Sequence, residues 1–309
     1  HRNVKVDYLG SFWLMLFLLC LMLSFQLLSN ATINWMIVFV AWFVSALSLW
    51  LFIRRESHTP EPVISMDLFK NRTFVIQNAV AALISGFLMA VEVYIPTWTQ
   101  GILGVPASLA GFAVTPSSLM WIIGSFVTGR LLAKWAPRRI IYLSLVFILF
   151  TGLCLAIIPV TTPFIWFFAI TAVGGIGFGI TITATTVTSQ HLVSPKTVGV
   201  ATSFNTLSRT IGQTVMISIF GIALNVGMNQ GIAKHQGTTM AMMNKLINPQ
   251  TATELPTKLL PTLRGILYTG LHWVYLIGLA LIILAFIVNS LDRGKQMTAA
   301  RHAELLKKD

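Results

Sequence analysis

Eight long apolar runs, separated by short polar breaks, dominate the sequence. Each run holds about 20 residues, and a helix of that length crosses the ~30 Å hydrocarbon core of a bilayer. The pattern therefore predicts an all-α, polytopic membrane protein with eight transmembrane helices. The predicted spans cover residues 8–29, 32–53, 74–98, 109–132, 140–159, 163–188, 198–226 and 268–291.

Basic residues are concentrated in alternate polar breaks. If successive spans alternate in direction, 17 of the 21 Lys and Arg residues fall on one side of the membrane. The other four lie in one long loop, residues 227–267. Cytoplasmic segments carry the excess of Lys and Arg, so we expect both termini, the 54–73 connector and the 292–309 tail in the cytoplasm. The loop would then be external, and the expected location is the cytoplasmic membrane of the cell.

Composition and charge narrow the function classes. Hydrophobic residues make up 55% of the chain and charged residues only 10%, which argues against an ordinary soluble domain. The net charge of +12 could indicate nucleic-acid binding. However, membrane topology and anionic lipid headgroups already explain basic residues at span ends, so we expect no nucleic-acid partner. Neither a metal-ligand spacing nor a nucleophile–base set is present, so we expect no metal, no cofactor and no enzymatic activity.

The first two spans differ in composition from the later six. They are apolar on every face and are joined by a tight turn at residues 30–32, so we expect residues 1–53 to lie at the periphery. Pro60 and Pro62 prevent a continuous helix through the connector, where residues 66–70 are expected to form a short interfacial helix. The spans within 74–291 contain polar residues, which predicts a six-helix bundle whose helices face one another or a watery cavity. Pro96 and Pro116 are expected to kink or end helices there.

Four stretches carry a family resemblance. They are the connector 62–74 with Leu68-Phe69-Lys70-Asn71-Arg72, the turn with Ile95-Pro96, Gln100, Gly104, Gly111 and Pro116, the loop 129–139, and the set Gly199, Asn205, Arg209 and Gly212. Their order and spacing resemble the major facilitator superfamily, specifically its fourteen-helix drug:proton antiporter branch (EmrB/QacA type). The resemblance covers nearly the whole chain.

This resemblance implies an architecture. In the family, six helices form an amino-terminal bundle, two helices link, and six form a carboxy-terminal bundle. Residues 1–53 would then be the two linker helices and residues 74–291 the carboxy-terminal bundle, with the long external loop between its last two helices. The amino-terminal bundle would be missing from this chain. The chain also begins at His1 and enters its first span after seven residues, although removal of a start Met would explain the first of these observations.

The loop 129–139 resembles the superfamily's cytoplasmic loop signature, with one departure. The matching positions are Gly129, Arg130, Arg138 and Arg139. Where the signature has Asp and then Gly, this chain has Ala133 and Ala136. The Asp normally helps to latch the two bundles by charge pairing, so the departure puts that latch in doubt.

A polar stripe on the third span is the first candidate for chemistry. Asn78, Ser85 and Glu92 are seven residues apart, so they share one helix face and line a cavity or a packed seam. Glu92 is the only acidic residue within a predicted span. It either binds a cation or exchanges a proton, or it is a solvated acid near the outer headgroups.

Further candidates lie on the sixth and seventh spans. Arg209 shares a helix face with Asn205 and either pairs with an acid or gates the inner end, or snorkels to the cytoplasm. The threonines of the sixth span either line a pore or bond back to their own helix; they are Thr181, Thr183, Thr185, Thr186 and Thr188. The glycine cluster 174–179 is typical of close helix approach, since it lacks the strand and Lys of a phosphate loop. Aromatic residues near the cavity either stack on a flat cation or pack; these include Trp98 and Trp121.

Three functional hypotheses follow from the sequence and the resemblance. The resemblance implies export of lipophilic, often cationic compounds by alternating access, driven by protons. A transporter of the same fold for a metabolite, peptide or lipid-like product is the alternative. The third hypothesis, from a different class, is a membrane partner or remnant that does not transport.

Overall fold

The computed structural model describes residues 7–28, 32–60 and 66–293. All regular elements in these ranges are helical. The predictions for Pro62, for the start of the 30–32 turn and for most of the 292–309 tail lie outside the described residues. Three short 3₁₀ segments occur, at Met66–Lys70, Gly111–Val114 and Pro195–Thr197, and the first occupies the position of the predicted interfacial helix.

Helices α1 to α12 follow one another along the described chain. They are α1 (Tyr8–Leu28), α2 (Trp35–Glu56), α3 (Arg72–Glu92), α4 (Tyr94–Gly101), α5 (Ala107–Ala110), α6 (Thr115–Leu131), α7 (Pro137–Ile157), α8 (Phe164–His191), α9 (Val198–Lys234), α10 (Met240–Ile247), α11 (Pro249–Ala252) and α12 (Leu260–Ser290). Counting α3 with α4 and α5 with α6, eight segments are long and apolar enough to cross a membrane. The predicted all-α class and number of spans are confirmed.

Helix α3 is the centre of the bundle. It packs against α8, α9 and α12, and its Val80, Ile84 and Phe87 are completely buried. Helix α12 also packs on α7 and α9, whereas α6 packs mainly on α8. Because a helix in a bilayer gains little from burying apolar surface, such contacts depend on close packing and polar bonds.

Helices α1 and α2 lie at the edge of the bundle. They pack on each other, and α1 also contacts α9. Helix α1 is the least buried of the eight membrane-length segments, with 6% of its most apolar stretch inside the protein, and the share for α2 is 28%. Two helices with so much exposed apolar surface are suited to contact lipid on most of their circumference.

Glycines set the packing of α8. A Cβ added at Gly175 or Gly179 would meet backbone atoms of Ser117 or Trp121 on α6. On the other side of α8, a Cβ at Gly174 or Gly177 would come within 2.9 Å of Thr151 or 2.8 Å of Ser144 on α7. The prediction that this glycine cluster permits close helix approach is confirmed.

Prolines break two of the predicted spans. The third span, predicted as 74–98, is interrupted at Val93 between α3 and α4. Pro96 has no N–H, and its ring excludes the normal position of the carbonyl four residues earlier, at Glu92. Pro116 occupies the first turn of α6, directly after the 3₁₀ segment. The expectation that Pro96 and Pro116 kink or end helices is confirmed.

The predicted loop over 227–267 is wrong in extent. Helix α9 continues to Lys234 and α12 begins at Leu260, with α10 and α11 between them. The continuation is stabilised by packing between α9 and α12, where Gly227 lies against Gly270 and Gly231 against Ile266. Helix α9 is therefore about 55 Å long, well beyond the thickness of a hydrocarbon core. Its end, α10, α11 and the start of α12 form a folded cap.

The ends of the bundle differ in charge. Helices α2, α6 and α12 end, and α3, α7 and α9 begin, at the same end, which we call the basic end. Arg54, Arg130 and Arg138 lie there. Helix α12 is fixed at this end because Asn289 Nδ2 donates to the carbonyl oxygen of Arg138 at 3.0 Å. The cap lies at the opposite end.

Candidate functional site

Buried polar side chains join α3, α8 and α9 near the basic end. Asn78 Nδ2 donates to Ser189 Oγ at 3.1 Å and to the Phe74 carbonyl oxygen at 2.8 Å. Asn205 Nδ2 donates to Asn78 Oδ1 at 3.1 Å, and Thr186 Oγ1 donates to Asn205 Oδ1 at 2.9 Å. We call Asn78, Thr186, Ser189 and Asn205 the amide seam.

The amide seam fixes how three helices meet. Asn78 and Asn205 expose 2% and 0% of their surface, so their amides depend on these bonds. A buried amide without a partner is costly, so the three helices favour the rotation that forms the bonds. The sequence pointed to Asn78, Asn205 and Thr186 but missed Ser189. The four-residue spacing of Thr181, Thr185 and Ser189 was the available signal.

Thr181 and Thr185 lie inside the bundle. Thr181 Oγ1 donates to Ser144 Oγ on α7 at 2.8 Å, and Thr185 Oγ1 donates to the Ile182 carbonyl oxygen of its own helix at 3.2 Å. Both threonines are completely buried. Their hydroxyls are thus used in packing and back-bonding, and neither lines an open surface of the described chain.

The predicted stripe on α3 divides into a buried part and an exposed part. Asn78 belongs to the amide seam, and Ser85 is completely buried, with no hydrogen-bond partner for its Oγ within the described ranges. Beside Ser85, Gly212 of α9 comes against the backbone of Ala82. Of the two alternatives for this stripe, a packed seam therefore describes Asn78 and Ser85. Glu92 is exposed.

Glu92 has an unusual position for an acid. It is the last residue of α3, directly before the break at Val93, and lies about two thirds of the way along the membrane-length segment Arg72–Gly101. No hydrogen bond or ion pair joins it to another residue in the described part of the chain. A carboxyl group at this depth is costly against hydrocarbon. Its exposed side is therefore suited to face water or another protein surface.

One face of α9 is polar and open at membrane depth. Ser203, Thr206 and Thr210 are exposed, and together with Thr202 and Arg209 they form what we call the α9 polar face. An open groove of about 540 Å³ runs along this face. Its lining consists of Leu18 of α1 and, from α9, Gly199, Thr202, Ser203, Thr206, Leu207 and Thr210.

Arg209 is half-buried on the α9 polar face. Its Nη2 donates to Thr206 Oγ1 at 3.3 Å, and its Nε has no hydrogen-bond partner among the residues that the structure describes. Thr206 lies one turn nearer the basic end, so the side chain leans that way, in the direction that the snorkelling alternative requires. Within the same residues no acid pairs with Arg209.

The loop motif holds its arginines on aromatic rings. Arg138 Cζ lies 5.6 Å from the ring centroid of Tyr142, and Arg139 Cζ lies 4.3 Å from that of Trp135. Gly129 and Arg130 are exposed at the end of α6. Ala133 occupies the position of the signature Asp, and the two arginines that follow it make cation–π contacts.

Asp292 is a buried acid that the sequence placed in the polar tail. It follows α12, exposes 1% of its surface, and accepts hydrogen bonds from Thr73 Oγ1 at 2.9 Å and Gln77 Nε2 at 3.4 Å. It thereby ties the end of α12 to the first turns of α3. The four-residue spacing of Thr73 and Gln77 was the signal in the sequence that could have indicated a shared partner.

The aromatic candidates pack within the protein. Trp98 is completely buried, and its ring centroid lies 5.3 Å from that of Tyr268 and 5.7 Å from that of Phe167. Trp121 is half-buried and stacks on Phe178 at 6.3 Å. For Trp98, packing is therefore the observed role. In the described part of the chain, no group of three or more His, Cys, Asp or Glu side chains could hold a metal ion.

Comparison with known proteins gives the context of this arrangement. Residues 8–217 match the model of the Major Facilitator Superfamily. The chain is 28% identical, over its whole length and 62% of the relative, to "Multidrug resistance protein 3" of Bacillus subtilis (strain 168). It is 27% identical to "Multidrug transporter protein MdtP" of the same strain, over 75% of this chain and 48% of the relative. The chain thus spans roughly half to three fifths of these relatives.

The fold agrees with the sequence match. A solved structure titled "Crystal Structure of A Bacterial Homolog to Human Lysosomal Transporter, Spinster, in Inward-facing And Occupied Conformation" superposes with a TM-score of 0.59 at 18% identity. The match covers 84% of this chain and 58% of that one. With a family match over more than half of its residues, this multi-pass membrane protein belongs to the Major Facilitator Superfamily of transporters.

Proposed function

We propose that this chain forms one wall of a proton-coupled exporter of lipophilic, often cationic drugs, and corresponds to the carboxy-terminal part of the fourteen-helix drug:proton antiporter branch. The α9 polar face carries the proposal. A membrane-length helix that exposes Ser203, Thr206 and Thr210 next to a half-buried Arg209 is unfavourable against lipid. It is favourable when it lines an aqueous pathway.

The relatives support the substrate class. Two proteins with 27–28% identity to this chain are described as a multidrug resistance protein and a multidrug transporter. Drugs that share such transporters are united by an apolar body, often with a positive charge. A transporter of the same fold for a metabolite, peptide or lipid-like product is the alternative, and a non-transporting membrane partner is the third possibility.

The proposed mechanism is alternating access. A second helical bundle faces the α9 polar face, and the two bundles rock about a substrate held near mid-membrane. On this side, the glycine contacts of α8 with α6 and α7 and the amide seam between α3, α8 and α9 make the helices move together. The bundle then moves as one body and keeps its internal contacts, and the transition between states requires such a body.

Two charged residues divide the pathway. Tyr94, two residues beyond Glu92, lies 6.0 Å from Phe220, centroid to centroid. Phe220 is eleven residues beyond Arg209, so Tyr94 lies about 16 Å, and Glu92 about 13 Å, farther from the basic end than Arg209 does. A cationic drug is repelled near Arg209 and attracted near Glu92. Glu92 therefore binds either the drug cation or a proton. This competition couples drug export to proton entry.

The proposed orientation places the basic end in the cytoplasm. The excess of Lys and Arg at that end supports it, as does the absence of basic residues from the first three breaks at the opposite end. Both termini are then cytoplasmic in the cell membrane, and Glu92 lies in the outer half of the bilayer.

Proton-driven drug transport by the intact protein tests the proposal. In everted membrane vesicles, an imposed pH gradient should drive uptake of a fluorescent lipophilic cation, and Glu92→Gln should abolish this coupling because the side chain can no longer exchange a proton. Glu254→Gln is the matched control. Glu254 is exposed in the cap, where it pairs with Lys245 at 3.0 Å, and its loss should leave uptake unchanged.

The outcomes separate the hypotheses. Coupled uptake that survives Glu92→Gln would reject the role of Glu92. Coupled uptake of one compound class, with no resistance to unrelated drugs, would favour the narrower transporter. Absence of any flux in the wild-type protein, at normal expression and folding, would favour the non-transporting partner.

A further inference from the structure

A crevice outside the transport pathway opens between α1 and α2 at the basic end. Its volume is about 480 Å³. Within the described ranges no acidic side chain lines it. The lining consists of Leu9, Trp13, Leu51, Arg54, Arg55, His58 and Thr59. One rim is therefore cationic, and the floor is apolar.

The cationic rim is held in place by bonds that leave Arg54 available. Arg55 Nε donates to both carboxylate oxygens of Asp7, at 2.8 and 2.9 Å, and Asp7 also accepts from the backbone N–H of Gly10 at 3.0 Å. The bond from Gly10, together with Arg55, lowers the pKa of Asp7. Arg54 is exposed, and none of the described acids pairs with it.

Contacts with His58 and Trp50 position Arg54 at the cationic rim. His58 Nδ1 lies 2.7 Å from the Arg54 carbonyl oxygen. Because a carbonyl only accepts, Nδ1 carries a proton, and Nε2 of the neutral ring is then an acceptor. The guanidinium of Arg54 lies over the ring of Trp50, with Cζ 5.3 Å from the centroid. Trp50 is 53% exposed, which is typical of an aromatic anchor at the membrane interface.

We propose that this crevice binds the headgroup of an anionic phospholipid, with the phosphate at Arg54 and the acyl chains along the exposed apolar faces of α1 and α2. Basic pockets between membrane helices at the cytoplasmic surface recognise such headgroups. The apolar floor of Leu9, Trp13 and Leu51 continues into these helix faces, where Phe12 and Leu47 are exposed by 49% and 43%. A soluble phosphate compound would use the rim alone, so the combination favours a lipid.

Lipid retention by the intact protein tests this proposal. The protein is purified in detergent with phosphatidylglycerol or phosphatidylcholine, and bound lipid is counted by native mass spectrometry. Arg54→Gln should lower the affinity for phosphatidylglycerol about fivefold, as expected for one surface Arg near an anionic lipid. Retention of phosphatidylcholine should not change. Inorganic phosphate at millimolar concentration should not displace phosphatidylglycerol.

The control is Arg72→Gln, which removes an exposed Arg at the same end but outside the crevice. It should retain phosphatidylglycerol like the wild-type protein, and both variants should elute as the same monodisperse species as the wild type. Equal retention by Arg54→Gln and wild type would overturn the proposal. So would equal losses in Arg54→Gln and Arg72→Gln, which would indicate only general charge attraction. Displacement by inorganic phosphate would show a soluble anion site instead.

Discussion

At the scale of the residue, Asn78 and Asn205 form the interaction on which the arrangement of α3, α8 and α9 depends most directly. Each amide is buried and bonded to side chains of neighbouring helices. In hydrocarbon an unpaired amide cannot form a hydrogen bond to water instead. The pair therefore favours one arrangement of the three helices over others that bury the same apolar surface.

Removing one amide should destabilise the protein more than removing both. Asn205→Leu leaves Asn78 Oδ1 without a donor, and a buried polar atom that loses its partner costs about 1–3 kcal/mol. The double variant Asn78→Leu/Asn205→Leu replaces the amide pair by apolar groups and should recover part of that loss. Thermal unfolding of the purified protein measures both effects.

The control for this cycle is Ser203→Ala, two residues from Asn205 on the exposed side of α9. It should unfold at nearly the wild-type temperature. Additive losses from the two Asn substitutions would show that the amides act independently, and the amide seam would then not be a unit.

At the scale of the element, glycines decide which helices can pack closely. Gly175 and Gly179 of α8 meet the backbone of α6, and Gly124 of α6 meets the backbone of α8 near Ile176. Backbone atoms cannot move aside as the end of a flexible side chain can. A methyl group at these positions must push the whole of α6 away from α8.

Gly175→Ala should therefore destabilise the protein by about 1–3 kcal/mol, the usual cost of overpacking, despite the better helix propensity of Ala. Gly265→Ala in α12 is the matched control, because a Cβ there meets nothing within 4 Å. It should be neutral or slightly stabilising. If the two variants unfold at the same temperature, close packing between α6 and α8 is not needed for stability.

The elements also show what could be read from the sequence. The apolar runs predicted eight spans, and Pro96 and Pro116 predicted the breaks, because both effects are local to the chain. The extension of α9 to Lys234 was missed, since it rests on contacts of Gly227 and Gly231 with α12 rather than on a longer apolar run. Hydropathy cannot distinguish a helix that continues in water from a loop.

The candidate site, like the helices, could be predicted from the sequence only in part. Seven-residue spacing identified Asn78 and Ser85 as one stripe, but their burial depends on which helices face them. For Thr181 and Thr185 the sequence left two alternatives open, lining a pore or bonding back to their own helix, because a threonine hydroxyl can do either. In the structure, Thr181 bonds to Ser144 of α7, and Thr185 bonds to the backbone of its own helix.

At the scale of the whole molecule, polar groups are distributed unevenly around the bundle. The amide seam is closed inside, whereas the α9 polar face and Glu92 are open on the outside. Helices α1 and α2 present apolar surface over most of their length. A membrane protein with one open polar face is suited to enclose a pathway together with a second wall, as members of the Major Facilitator Superfamily do.

Water access to the α9 polar face is the most direct test of this account. Cysteine is introduced at Thr206, Thr210 or, as the control, Phe43, which is 67% exposed on α2, with Cys20 and Cys154 changed to Ala. A small charged thiol reagent is applied to the intact protein in membranes, where only thiolates in water react. We expect fast modification at Thr206→Cys and Thr210→Cys and almost none at Phe43→Cys. Unreactive cysteines at both α9 positions, in a correctly folded protein, would place this face against lipid or in a dry interface and contradict the account.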